Sequence, residues 1–118
     1  MYWLPIDFMH RWKKRWQRKG PGRPFSDLFI TKIPHVKEFL PNPRSNKKPV
    51  ILSYPEYNLI QLIDLDGLKQ EEAAKKMGTS RGTVWRMLQT ARKKIAQALR
   101  ESRVLLIKPE GETEKVKE

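Results

Sequence analysis

Residues 69–102 read KQEEAAKKMGTSRGTVWRMLQTARKKIAQALRES, and their spacing decides the fold. Lys69 to Met77 has the length of a short helix, with Glu71 and Glu72 in its first turn, where the helix dipole favours negative charge. Gly78 ends that helix, and Ser80 is a good N-cap for a second one running from Arg81 to about Ser102. In the second helix Val84, Leu88, Ala91, Ile95 and Leu99 recur at helical intervals, which predicts one buried stripe along most of its length. Two helices joined by a tight glycine turn, the second long and basic, are the parts of a helix-turn-helix.

That motif makes further demands on residue type. A small residue must stand where the helices cross, and Ala73 and Ala74 provide it. An apolar residue must precede the turn, a glycine must permit its positive φ, and apolar residues must follow early in the second helix; Met77, Gly78, Val84 and Met87 meet these needs in order. With the stripe buried, Gly82, Arg86, Gln89 and Lys93 fall on the opposite face, Thr83 and Trp85 flank it, and Arg81 stands at the first turn. Set into a DNA major groove, Arg81 and Arg86 would reach guanine, Gln89 adenine and the Thr83 methyl thymine. Gly82 would allow close backbone approach, and Trp85 either joins this face or packs on the first helix or the N-terminal arm. Ser80, Arg92, Lys93, Lys94 and Arg100, with Arg23 upstream, are the phosphate candidates. A plain helical bundle also uses short helical pairs with a glycine turn, so the spacing alone admits that reading too.

Working outward, Ser53-Tyr54-Pro55-Glu56 has the form of a capping box with proline in the first turn, and predicts a helix to about Asp66 that stops at Gly67. Leu59, Leu62 and Ile63 form its apolar face, with Ile60 beside them. Six prolines between Pro21 and Pro49 argue for an extended path with brief strands, the candidates being Leu28–Ile33 and Val50–Leu52. Val104–Ile107 is a third candidate strand, expected against Leu28–Ile33. Residues 1–19 are expected as a short helix with Met9, Trp12 and Trp16 on one stripe, and the residues after Pro109 as disordered. The chain thus divides into a basic Trp-rich N-terminal arm (1–20), a Pro-rich extended segment (21–52), a helix-turn-helix domain (53–108) and a tail (109–118). The fold class is mainly α, with a few short accessory strands.

Charge points to the partner. The 118 residues carry 25 Lys and Arg against 13 Asp and Glu, a formal charge of +12 that favours a polyanion. Residues 1–25 and 81–103 each hold seven basic residues against one acidic, so nearly all the excess lies in two blocks. There is no cysteine, which excludes disulfides, thiolate metal sites and cysteine nucleophiles. His10 and His35 form no metal motif, no phosphate-binding glycine loop is present, and Asp64 and Asp66 lie on different helix faces. Neither an enzyme nor a cofactor is expected. No run is apolar enough for a membrane span and the N-terminus has the wrong charge order for a secretory signal, which predicts a cytoplasmic protein.

The stretch LIDLDGLKQEEAAKKMGTSRGTVWRMLQTARKKIAQAL, with the upstream Gly22-Arg23-Pro24, resembles the prokaryotic family called domain of unknown function 134, or uncharacterised protein family 0251. The resemblance covers about residues 20–108, and its helix pair is similar to region 4 of sigma-70-type factors. It implies a DNA-binding regulator with no assigned reaction, its groove positions falling on Arg81, Gly82 and Arg86. Lys69 stands where the family has a capping serine, and Thr79 where it has an apolar turn residue.

For the N-terminal arm three readings stand: a phosphate-binding arm, a basic amphipathic segment on a membrane surface, or a tail whose tryptophans tuck onto the domain. The expected partner is double-stranded DNA, bound by a homodimer, since one such motif touches few base pairs. RNA or RNA polymerase is the alternative, and a membrane is not expected as the main partner.

Overall fold

The computed structural model describes residues 14–18, 28–109 and 111–115. Ser53 opens the first helix as its capping box predicts: its Oγ accepts from Glu56 N–H, and the Glu56 carboxylate accepts from Ser53 N–H at 2.9 Å. Helix α1 covers Tyr54–Leu59 and widens into a π-helical segment, Ile60–Leu65, that closes with Asp66 N–H on Gln61 O. Gly67, at φ +80°, then turns the chain. Helix α2 is Gln70–Met77 and α3 is Arg81–Glu101.

The joint between α2 and α3 follows from Gly78. Its φ of +67° places Gly78 N–H on the Lys75 carbonyl and Thr79 N–H on the Ala74 carbonyl, which satisfies the last carbonyls of α2. Ser80 then caps α3, accepting from Thr83 N–H at 3.1 Å. At the other end of α2 the cap at Lys69 is only half made. A lysine ammonium has no lone pair to offer an N-cap, yet Glu72 reaches back and accepts from Lys69 N–H at 2.9 Å.

Six short strands accompany the helices among the described residues. Strands β2 (Leu28–Ile30), β1 (Lys14–Arg18) and β6 (Gly111–Lys115) form an antiparallel sheet with β1 in the middle. Strands β3 (Glu38–Phe39), β5 (Leu105–Lys108) and β4 (Val50–Ser53) form the other, with β5 antiparallel to β3 and parallel to β4.

Three expectations are corrected here. Residues 14–18 are strand, not helix: with a partner on each side their backbone is satisfied by pairing, whereas a short isolated helix is marginal. Residues 111–115, expected as part of a disordered tail, supply one of those partners. The strand after α3 does not meet Leu28–Ile33. Ser102, in the left-handed region at φ 51°, turns the chain back, and Val50 N–H takes the Val104 carbonyl, so β5 lies beside β4. A parallel pair needs a long crossover, which α1, α2 and α3 provide.

One apolar core joins α1, the π segment, α2, α3 and β2, with Ile30, Leu59, Ala73, Met77, Val84 and Leu88 wholly buried. A smaller cluster of Leu52, Tyr57, Ala91 and Ile107 seats α3 on the β4–β5 pair. The predicted stripe on α3 holds through Ala91 and Ile95, then drifts: Ala98 is buried and Leu99 is 79% exposed. Intervals of four, three, four and three track the helix period better than the predicted final four. Asn58, fully buried, accepts from Thr31 Oγ1 and Lys32 N–H and so ties the chain after β2 to α1.

Both glycine turns should resist substitution, one more than the other. Gly67→Ala and Gly78→Ala each force an L-residue into left-handed backbone, at about 1–2 kcal/mol. At Gly78 a Cβ would also meet the Phe29 ring at 3.0 Å, whereas Gly67 faces open space. Urea unfolding should therefore rank Gly78→Ala as the more destabilised variant.

Candidate nucleic-acid interface

Burial of Val84, Leu88 and Ala91 fixes which way α3 faces. Gly82, Arg86, Gln89 and Lys93 lie exposed on the opposite side, together with Arg81 and Trp85, and Thr83 is half-buried between the faces. The sequence-predicted base-reading residues are thus brought together on one surface at the N-terminal end of α3. Arg81, Gly82, Trp85 and Arg86 line a shallow hollow there with Gln70 of α2.

The capping network stiffens this end. Ser80 Oγ donates to Thr83 Oγ1 at 2.9 Å while accepting from Thr83 N–H, and Arg86 Nη2 donates to Thr83 Oγ1 at 3.4 Å. Thr83 Oγ1 thus accepts from both Ser80 and Arg86. Arg81 meets Glu71 of α2 at 3.7 Å, a pair so exposed, with side chains 68% and 71% accessible, that it holds neither group tightly. Trp85 is 52% exposed, so it is not buried against the first helix. Among the described residues nothing requires Gly82: a Cβ there would meet only the far end of the Arg86 side chain, at 3.5 Å.

The phosphate candidates separate into two kinds. Arg92 forks onto Asp64 of the π segment, with Nε at 3.1 Å and Nη2 at 2.6 Å, and these hydrogen bonds raise the guanidinium pKa above its usual value. Lys94 donates to the buried Glu56 carboxylate at 2.8 Å. Those two cations tie α3 to α1 and its extension. Lys93 and Arg100 are exposed and make no ion pair among the described residues. Ser80 has its hydroxyl committed to Thr83, and Arg23, with the rest of the expected arm apart from 14–18, lies outside the described residues. Asp66, like Asp64, is paired, with Lys32 at 3.2 Å.

Sequence reasoning missed both long-range pairs and one whole surface feature, an apolar groove at the far end of α3 flanked by exposed Phe39, Leu40 and Leu99. The only sequence signal for the groove was the apolar pair Phe39-Leu40 before Pro41. Among the described residues, no helix is long and apolar enough to cross a membrane.

The molecule is thus a mixed α/β protein, mainly helical, with a basic face at the start of its longest helix. The chain belongs to the family described as Protein of unknown function DUF134, which it matches over residues 15–116. It is similar to a UPF0251 protein of Pyrococcus furiosus, 48% identical over 97 residues, which are 80% of this chain and 90% of that protein. A UPF0251 protein of Archaeoglobus fulgidus is 40% identical over 108 residues, 92% of this chain and 100% of the relative. A UPF0251 protein of Halothermothrix orenii is 45% identical over 86 residues, 71% of this chain and 64% of the relative. No solved structure matches the chain.

The two ties between α3 and α1 should differ in strength. Asp64→Asn weakens a pair that water reaches and should cost at most about 1 kcal/mol. Glu56→Ala should cost more, about 1–3 kcal/mol, because it strands Ser53 N–H and removes the acceptor of Lys94 from a buried position. Chemical denaturation of the two variants beside wild type checks the order.

Proposed function

We propose that this protein binds double-stranded DNA with sequence preference and regulates transcription by doing so. The α2–Gly78–α3 unit is read as a helix-turn-helix of the sigma region 4 kind, entering the major groove by the first turns of α3. One observation carries the reading: Arg81, Arg86 and Gln89 are exposed together at the N-terminal end of a helix whose opposite face is buried at Val84, Leu88 and Ala91. That arrangement presents the donors on one face of a helix seated in the core, and these side chains pair bidentately with guanine and adenine edges. Gly82 suits the reading because no neighbour among the described residues calls for a glycine there. Lys93, Arg100 and the basic block before residue 25 supply phosphate contacts. A cytoplasmic, non-catalytic role acting through two copies on a two-fold site completes the proposal.

A second reading rests on Trp85. An indole 52% exposed beside two arginines is also a stacking platform for an unpaired base, which favours single-stranded RNA or DNA. RNA polymerase as partner would need neither duplex nor stacking.

Selection from a randomised duplex library at near-physiological salt separates these readings. Wild type should enrich one motif, and Arg81→Ala with Arg86→Ala should lose it while keeping weak, salt-sensitive binding. Each arginine is expected to contribute about 1–3 kcal/mol of discrimination. Enrichment of no duplex motif, with tight binding to single strands that Trp85→Ala abolishes, would give the second reading instead.

A further inference from the structure

The groove at the C-terminal end of α3 is a cavity of about 680 Å³. Its body is apolar, formed by Leu52, Tyr57, Ile60, Ile95, Leu105 and Ile107. A volume of this size is within the range of roughly 300–1,000 Å³ that small-molecule sites occupy. The widened π-helical turn contributes Ile60 and Gln61 to one wall, and α3 and the β4–β5 pair supply others. Burial raises the Tyr57 phenol above its usual pKa, so it stays neutral and adds no negative charge.

Polarity gathers where the 41–49 loop meets the end of α3. Ser45 N–H donates to the Ser102 carbonyl there, and Asn42, Ser102 and Arg103 line the cavity. Arg103 is held in place by Nε on the Lys48 carbonyl at 2.6 Å and Nη1 on Glu101 at 3.2 Å. Its Nη2 makes no hydrogen bond among the described residues. Lys47 also reaches Glu101, at 3.4 Å, so two cations share one carboxylate and the rim keeps a net positive charge.

We propose that this groove binds a small anionic amphiphile, an acyl or aryl body in the apolar cavity with its carboxylate on the Arg103 guanidinium at the rim. The two halves of the site select the two halves of the ligand. An apolar body alone leaves the rim charge uncompensated, and a short anion alone leaves the cavity unfilled. The site lies about 26 Å along α3 from Arg81, so it stands independently of the DNA-binding proposal.

The test is an NMR titration of the methyl-labelled full chain with octanoate, octanol and acetate, each below any micelle concentration. Octanoate should shift the Ile60, Ile95 and Ile107 methyls saturably, acetate should not, and octanol should bind about tenfold more weakly. Arg103→Gln should abolish the difference between octanoate and octanol while leaving octanol binding in place. Equal affinity of octanoate and octanol for wild type would overturn the carboxylate site, a comparison that needs no variant to fold. Octanoate shifts scattered over the surface, or no saturation, would overturn the pocket. Groove shifts that follow protein concentration without ligand would assign the groove to a second copy of the chain and overturn the proposal as well.

Discussion

Everything in this fold depends on how closely α3 crosses α2. Ala73 and Val84 both have no exposed surface, and Ala74 and Met77 complete the contact on one side as Leu88 does on the other. A larger side chain at either alanine would push the helices apart, since interiors are packed too densely to absorb added volume. The crossing is in turn made possible by Gly78, whose left-handed backbone closes α2 within two residues of the cap of α3. Once those constraints hold, the rotation of α3 about its own axis is fixed, and with it the identity of every residue on the exposed face.

Charge is distributed by the same geometry. The basic excess of residues 81–103 looks uniform along the sequence, but Arg92 and Lys94 are turned towards α1 and its extension, where Asp64 and Glu56 partner them. What remains outward is concentrated at the start of α3, in Arg81 and Arg86, and on the flank at Lys93 and Arg100. The Glu56 carboxylate serves twice, as the return half of a capping box and as the anchor of Lys94. A single side chain thus couples the start of α1 to the middle of α3.

Much of this was legible locally. The capping serines at 53 and 80, the glycine stops at 67 and 78, and the apolar stripe through Ala91 all depend on contacts within a few residues, which periodicity and turn chemistry report directly. What was not legible is non-local. The two sheets pair strands far apart in sequence, and β1 and β6 have a polar, charged composition that gives no apolar alternation to read. The end of the helical stripe failed for a local reason: the helix period carries the buried face round to Ala98 and leaves Leu99 exposed. For the candidate site, the residues facing outward at the start of α3 followed from the buried stripe. The pairing of Arg92 and Lys94 did not, because their partners are 28 and 38 positions away.

The central claim is that the N-terminal end of α3 is the surface that meets duplex DNA, and amide chemical shifts on adding a short duplex test it most directly. The account predicts that the strongest perturbations fall on residues 80–90, above all at Arg81, Trp85, Arg86 and Gln89, with weaker ones at Lys93 and Arg100. Perturbations confined to the groove end of α3 or to the β3–β5–β4 sheet, with residues 80–90 unmoved, would contradict it.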